Sequence, residues 1–146
     1  MVDVGQKEVT VREATASGRV VTTEEVVVAL RAGTMPKGDV VAAARIAGIM
    51  AVKRTPDLIP LCHPIGISGA EVEIDLAGDT HVEIQAIVRT ADRTGVEMEA
   101  LTAVAAAGLT VIDMIKGADP AASIEGVKVL TKTGGKTGDW VRPNDR

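Results

Sequence analysis

The chain of 146 residues has no phenylalanine and no tyrosine, a single tryptophan, a single cysteine and two histidines. Each scarcity excludes something. A single indole ring is too few for the successive stacking platforms that single-strand binders use. The core must instead be built from Val, Ile, Leu, Met and Ala. Cys62 has no second cysteine with which to close an intramolecular disulfide. The ligand count for a structural zinc site is not reached, and Cys62 and His63, as neighbours on an extended backbone, point in different directions, so no metal site is expected. Basic residues are outnumbered, 16 against 20 acidic ones, for a net charge of −4. That balance gives no global attraction to nucleic acid or to an anionic membrane, and any anionic ligand has to meet a local basic cluster. No basic-then-apolar leader and no uninterrupted apolar run long enough to span a bilayer stands out, so the expectation is a cytoplasmic protein.

What is present suits a single packed domain over residues 1–146. Hydrophobic residues make up 46% of the chain and charged residues 25%, the proportions of a soluble globular protein with a real core. No repeat or linker divides it. Residues 8–22 alternate and are rich in β-branched side chains, which predicts a strand bent around Gly18. Thr22 or Thr23 then caps a helix with Glu24 and Glu25 in its first turn and Gly33 at its end. A second, Ala-rich helix starts after Pro36 with Asp39 as cap and stops at Pro56. The segment PDLIPLCHPIG, 56–66, carries three prolines, so no regular element is expected there, and its apolar character predicts burial against another surface. Residues 70–78 and 81–90 alternate around a Gly-Asp-Thr turn and read as an antiparallel hairpin. A long helix follows from about Val96 to Lys116, then a strand over 124–132 and a polar, Gly-rich tail. This order predicts an α+β two-layer domain with helices on one face of an antiparallel sheet.

The chemistry-bearing signals are cations placed where the hydrophobic pattern does not require them. Lys37 precedes the second helix, Lys53 and Arg54 end it, Lys116 ends the long helix, and Lys132 and Lys136 flank the glycine pair of KTGGKTG. Glycines let backbone N–H groups approach a phosphate closely and lysines supply charge, although each lysine taken singly is compatible with a solvated surface. KTGGKTG is not a P-loop, because Leu130 occupies the first glycine position of that template and no helix follows. His63, held between prolines, suits a hydrogen-bond donor or proton carrier as well as a packed loop side chain. Asp113 sits in the last turn of an otherwise apolar helix, where it faces the negative end of the helix dipole. Something has to compensate it. Lys116, three residues on, is the nearest cation in sequence.

KGDVVAAARIAGIMAVKRTPDLIPLCHP, TGVEMEALTAVAAAGLTVIDMIKG and KTGGKTGD, in this order and at these separations, together resemble the MoaC family of cyclic pyranopterin monophosphate synthases, enzymes of molybdenum cofactor biosynthesis. The match runs from MVDV onward. The chain starts there without the short segment that commonly precedes it in the family, which touches the first edge of the domain and its subunit contacts. Pro56 stands where other members often have a bulky residue, with only a local effect expected. The resemblance implies a ferredoxin-like fold and a lyase that takes (8S)-3',8-cyclo-7,8-dihydroguanosine 5'-triphosphate to cyclic pyranopterin monophosphate, releasing pyrophosphate by lysine and aspartate acid–base catalysis. It implies no cofactor, with Mg²⁺ beside the triphosphate compatible but not implied. The implied partners are a nucleotide-derived small molecule and other copies of the chain, in a hexamer built as a trimer of dimers with sites at the dimer interface, and neither nucleic acid nor membrane. By motif, Asp113, Lys116 and Lys37 are the implied catalytic residues, with Lys116 a general acid and Asp113 either a base or the group that sets the lysine's protonation. Leu61, Cys62, His63, Met98, Glu99 and Lys132 would line the substrate site. A non-catalytic nucleotide-binding regulatory module is the competing class; such a sensor needs cations but not an acid in an apolar helix.

Overall fold

The computed structural model describes residues 1–144; the last two residues of the polar tail, 145–146, lie outside them. The elements run β1 (Thr10–Val21), α1 (Glu24–Ala32), α2 (Val40–Val52), the single turn α3 (Thr55–Leu58), β2 (Ile67–Asp75), β3 (His81–Asp92), α4 (Glu97–Ile115), β4 (Ser123–Thr133) and β5 (Trp140–Val141). The strands form one antiparallel sheet in the order β2-β3-β1-β4-β5. With α2 and α4 as the crossovers, the first four strands follow the β–α–β–β–α–β pattern of ferredoxin-like domains. The expected α+β two-layer architecture is therefore present.

Period-2 alternation decides which side of the sheet is covered. Ala14, Ala16 and Val20 of β1 and Val82, Ile84, Ala86 and Val88 of β3 are buried beneath the helices. The intervening residues face the other way and pair among themselves, with Arg89 bound to both Glu13 and Glu71 and Arg19 to Glu125. The helix layer makes up for its missing aromatics by packing small residues closely. Ala44, Gly48 and Ala51 of α2 meet an α4 face that includes Ala100, Ala103 and Ala107. A methyl group at Gly48 would lie 3.1 Å from the Ala103 carbonyl oxygen, so a bulkier residue there would push the helices apart. By length and apolarity alone α4 could cross a bilayer. In this fold it is the central core helix, packed against α2, β1, β3 and β4.

Caps fall where the sequence places them. Thr23 Oγ1 accepts from the Val26 amide of α1, and Asp39 Oδ1 accepts from the Ala42 amide of α2. Thr22, the other candidate for the first cap, instead donates its hydroxyl to the buried carboxylate of Asp119 at 2.7 Å, tying the start of α1 to the turn after α4.

Three expectations need correcting. The proline-rich segment does hold a regular turn, α3, because Pro56 lies in the first turn, where no intrahelical N–H is needed. Its apolar side chains are not all covered: Leu58 and Leu61 are 62% and 69% exposed. The polar tail returns to the sheet as β5, whose Trp140 and Val141 pair with Lys132 and Thr131 of β4.

Candidate functional site

Asp113 is exposed on the outer stripe of α4 and is held by two cations from different parts of the chain. Lys116 donates to its Oδ1 at 2.6 Å; Lys37 donates to its Oδ2 at 2.8 Å and to its backbone oxygen at 2.9 Å. Lys37 thereby also caps one of the carbonyls that every helix C-terminus leaves without an intrahelical partner. The poor placement of an acid at the end of α4 is offset by charge on both sides. Hydrogen bonds from Lys116 and then Lys37 hold the Asp113 carboxyl down to a pKa of about 2. Lys37 reaches α4 from the turn Met35–Gly38, closed by a 3.0 Å bond from the Gly38 amide to the Met35 oxygen and anchored by the buried Met35 side chain.

A second group gathers at the opposite end of the same helix. Leu61, Cys62 and His63 border a cleft of roughly 160 Å³ together with Thr94, Gly95, Glu97, Met98 and Glu99. The loop is fixed at both ends: the Cys62 amide bonds the Ile59 oxygen at 3.1 Å, and the buried Thr90 hydroxyl donates to the Gly66 oxygen. Glu99 is only 3% exposed. Burial pushes its carboxyl above the ordinary range, helped by the charge of Glu97 and opposed by its own amide. Burial, and then Glu99, push the Cys62 thiol up as well.

A raised carboxyl pKa means that the folded chain binds a proton the unfolded chain has already released, so this group's contribution to stability falls as pH rises from 4.5 through the folded value. The isosteric Glu99→Gln variant should lose that slope and be at least as stable as the parent at neutral pH. Thermal unfolding followed against pH checks this; an unchanged slope would mean that Glu99 is not the group responsible.

Glu97 joins the cleft to a cationic surface. Its carboxylate pairs with Lys132 Nζ at 3.2 Å. Beyond Lys132 the chain enters a turn in which Gly134 and Gly135 adopt φ values of 82° and 80°. A methyl group at Gly134 would collide with the Val11 backbone oxygen, so that position requires glycine on conformation and on space, whereas at Gly135 the nearest group is the movable end of the Arg12 side chain and the positive φ alone asks for glycine. Lys7, Arg12 and Lys136 line an adjoining cavity of roughly 610 Å³ with Thr10, whose buried Oγ1 has no protein partner. Arg12 was not singled out in the sequence. It lies within a regular strand, and only the return of β4 and its glycine turn brings it beside Lys132 and Lys136.

One chain therefore brings Lys37, Asp113 and Lys116 together, and separately gathers Leu61, Cys62, His63, Met98, Glu99 and Lys132. The two groups occupy opposite ends of α4. Asp113 lies sixteen positions after Glu97 in α4, about 24 Å along the helix axis. The helix layer leaves apolar side chains exposed, Ile46 and Met50 on α2 and Leu109 on α4, as it does Leu58 and Leu61.

The MoaC family profile matches residues 1–135. A cyclic pyranopterin monophosphate synthase of Nocardioides sp. is 59% identical over 145 residues, covering 98% of this chain and 89% of that protein. The protein of the same name from Streptomyces coelicolor is 61% identical over 142 residues, 97% and 83% of the two chains. One from Chloroflexus aurantiacus is 53% identical over 145 residues, 98% and 88%.

Proposed function

The chain belongs to the MoaC family, and from that premise we propose that it carries out the step for which its relatives are named, forming cyclic pyranopterin monophosphate from a cyclised dihydro-GTP with loss of pyrophosphate. The observation that carries this reading is the Lys37–Asp113–Lys116 cluster. Surface lysines bind phosphate without help, but two ammonium groups clamped on one carboxylate form an ordered proton-transfer set.

The chemistry divides between the two groups. Phosphates lie against Lys132, Arg12 and Lys136, where the glycine turn lets the backbone come close. The heterocycle lies toward Glu97, Glu99 and the Leu61–His63 loop. Closing the cyclic monophosphate requires a substrate hydroxyl oxygen to bond to the α-phosphorus while the bond to the β-phosphate bridging oxygen breaks. Pyrophosphate leaves with that oxygen, and nearby cations stabilise its charge. Proton movements in the ring rearrangement fall to Lys116 and Lys37. A carboxylate that keeps its charge down to about pH 2 is a weak proton acceptor at neutral pH. Of the two roles open to Asp113, holding and orienting its lysines fits better than acting as the base.

A single nucleotide meets both groups when a second copy of the chain lays the far end of its own α4 against the first. The exposed Leu58, Leu61, Leu109, Ile46 and Met50 form the apolar surface that such a copy would cover, and Leu109 lies one turn from Asp113. The site is thus shared across a dimer, three of which make the hexamer.

Incubation with the cyclised dihydro-GTP should yield pyrophosphate and a pterin product. Folded protein that returns the ligand unchanged would favour a regulatory binding module. Lys37→Ala and Lys132→Ala should each lower kcat/KM by at least about a hundredfold with unfolding midpoints near that of the parent, because neither interrupts an apolar stripe. The exposed Lys128 should tolerate the same change. If all three variants turn over alike, the cationic cluster is solvated surface.

A further inference from the structure

We propose, resting on the functional reading above, that Trp140 and Glu97 form the subsite that recognises the guanine-type ring of the substrate, Trp140 by stacking and Glu97 by accepting hydrogen bonds from the ring N–H and exocyclic amino groups. Trp140 is the only aromatic side chain other than histidine in the whole chain, so a stacking surface for a fused bicyclic ring exists at one place. That place is a shallow, open groove. Trp140 lies directly across the β4–β5 ladder from Lys132, which sets both side chains on the same side of the sheet, and the two line a cavity of roughly 270 Å³ with Glu97 and Val129.

The ring is held before any ligand arrives. The Arg142 amide bonds the Leu130 oxygen at 2.7 Å, its guanidinium bonds the Val129 oxygen, and the same guanidinium lies over the indole 5.6 Å from the ring centroid. These contacts fasten a two-residue strand that would otherwise fray and leave the tryptophan 37% exposed. A preorganised aromatic side chain with room beside it costs little entropy to stack against.

Glu97 supplies what stacking lacks, which is discrimination. A carboxylate has two acceptor oxygens at the spacing of the adjacent N–H and amino donors that a guanine presents and an adenine does not. Lys132, 3.2 Å from Glu97, leads from the ring subsite to the phosphate-binding turn. Base and phosphates would thus be read on successive residues of one surface.

GTP and ITP, which lack the extra ring of the substrate, serve as non-reacting probes, and the single tryptophan reports on them directly. GTP should quench Trp140 fluorescence saturably. ITP, without the exocyclic amino group, should bind about tenfold more weakly, the size of effect expected when a site built for a donor meets a ligand lacking it. Calorimetry on variants extends the test: Glu97→Gln should abolish the preference for GTP over ITP, Trp140→Ala should weaken both nucleotides about tenfold, and Trp140→Phe should restore most of the loss. Equal affinity for GTP and ITP in the parent, or inorganic triphosphate quenching as strongly as GTP, would overturn the assignment. So would a Trp140→Ala enzyme with an unchanged KM for the cyclised dihydro-GTP, and that result would leave the proposed reaction standing. A parent that binds GTP over ITP as described yet forms no pterin would instead refute the reaction and keep the guanine subsite.

Discussion

Asp113→Asn should reduce turnover by at least about a hundredfold, the lower end of what positioned acid–base groups contribute, while the protein folds and melts close to the parent. The carboxylate is exposed and touches no core residue, so its loss opens no cavity. What it removes is the anchor for two ammonium groups, whose Nζ atoms stand 2.8 and 2.6 Å from its oxygens. Its depressed pKa adds a sign that can be checked. The ion pairs contribute stability at pH values above 3.8 and lose it as pH falls through about 2, so the variant should lack that part of the parent's acid sensitivity. Lys116→Arg sharpens the test. A guanidinium keeps the charge and can keep the pairing, but with a pKa above ~12 it does not give up a proton in turnover. Retained pairing with lost activity would identify Lys116 as the proton donor. A fully active Lys116→Arg enzyme would reduce the cluster to a surface ion pair.

The fold was legible where one physical signal dominated. Alternation in Val82, Ile84, Ala86 and Val88 marked the buried face of β3, and Thr23, Asp39 and Gly33 marked helix ends through capping chemistry that needs no tertiary context. The short strand β5 was hidden because two residues carry no period, and its existence depends on pairing with Lys132 and Thr131. The site was half legible. Lys116 could be paired with Asp113 from their spacing alone, but the Lys37 contact spans 76 positions in sequence, and no local rule anticipates it. Arg12 was missed for the same reason. Glu99 was assigned to the site through the family resemblance alone, and its burial at 3% exposure comes from the packing around the start of α4. The apolar Leu58 and Leu61 were expected to be covered, and within one chain they are not. On the proposed reading, their pattern marks a demand for a partner surface that one copy does not meet.

That demand underlies the central claim, that one catalytic site takes Lys37, Asp113 and Lys116 from one copy and the Leu61–His63 loop, Glu99 and Lys132 from another. Two inactive variants with lesions in different groups should then repair each other. Asp113→Asn and Lys132→Ala are each expected to be nearly inactive alone. In a mixed dimer one site collects both lesions and the other collects neither. Random exchange of subunits makes about half of the dimers mixed, each with one intact site of two, so activity should return to about a quarter of the parent value. The decisive measurement is pyrophosphate release after the two variants are mixed, dissociated and reassembled. Recovery near a quarter is the expected result, and a mixture no more active than its separate components would contradict a site shared between copies.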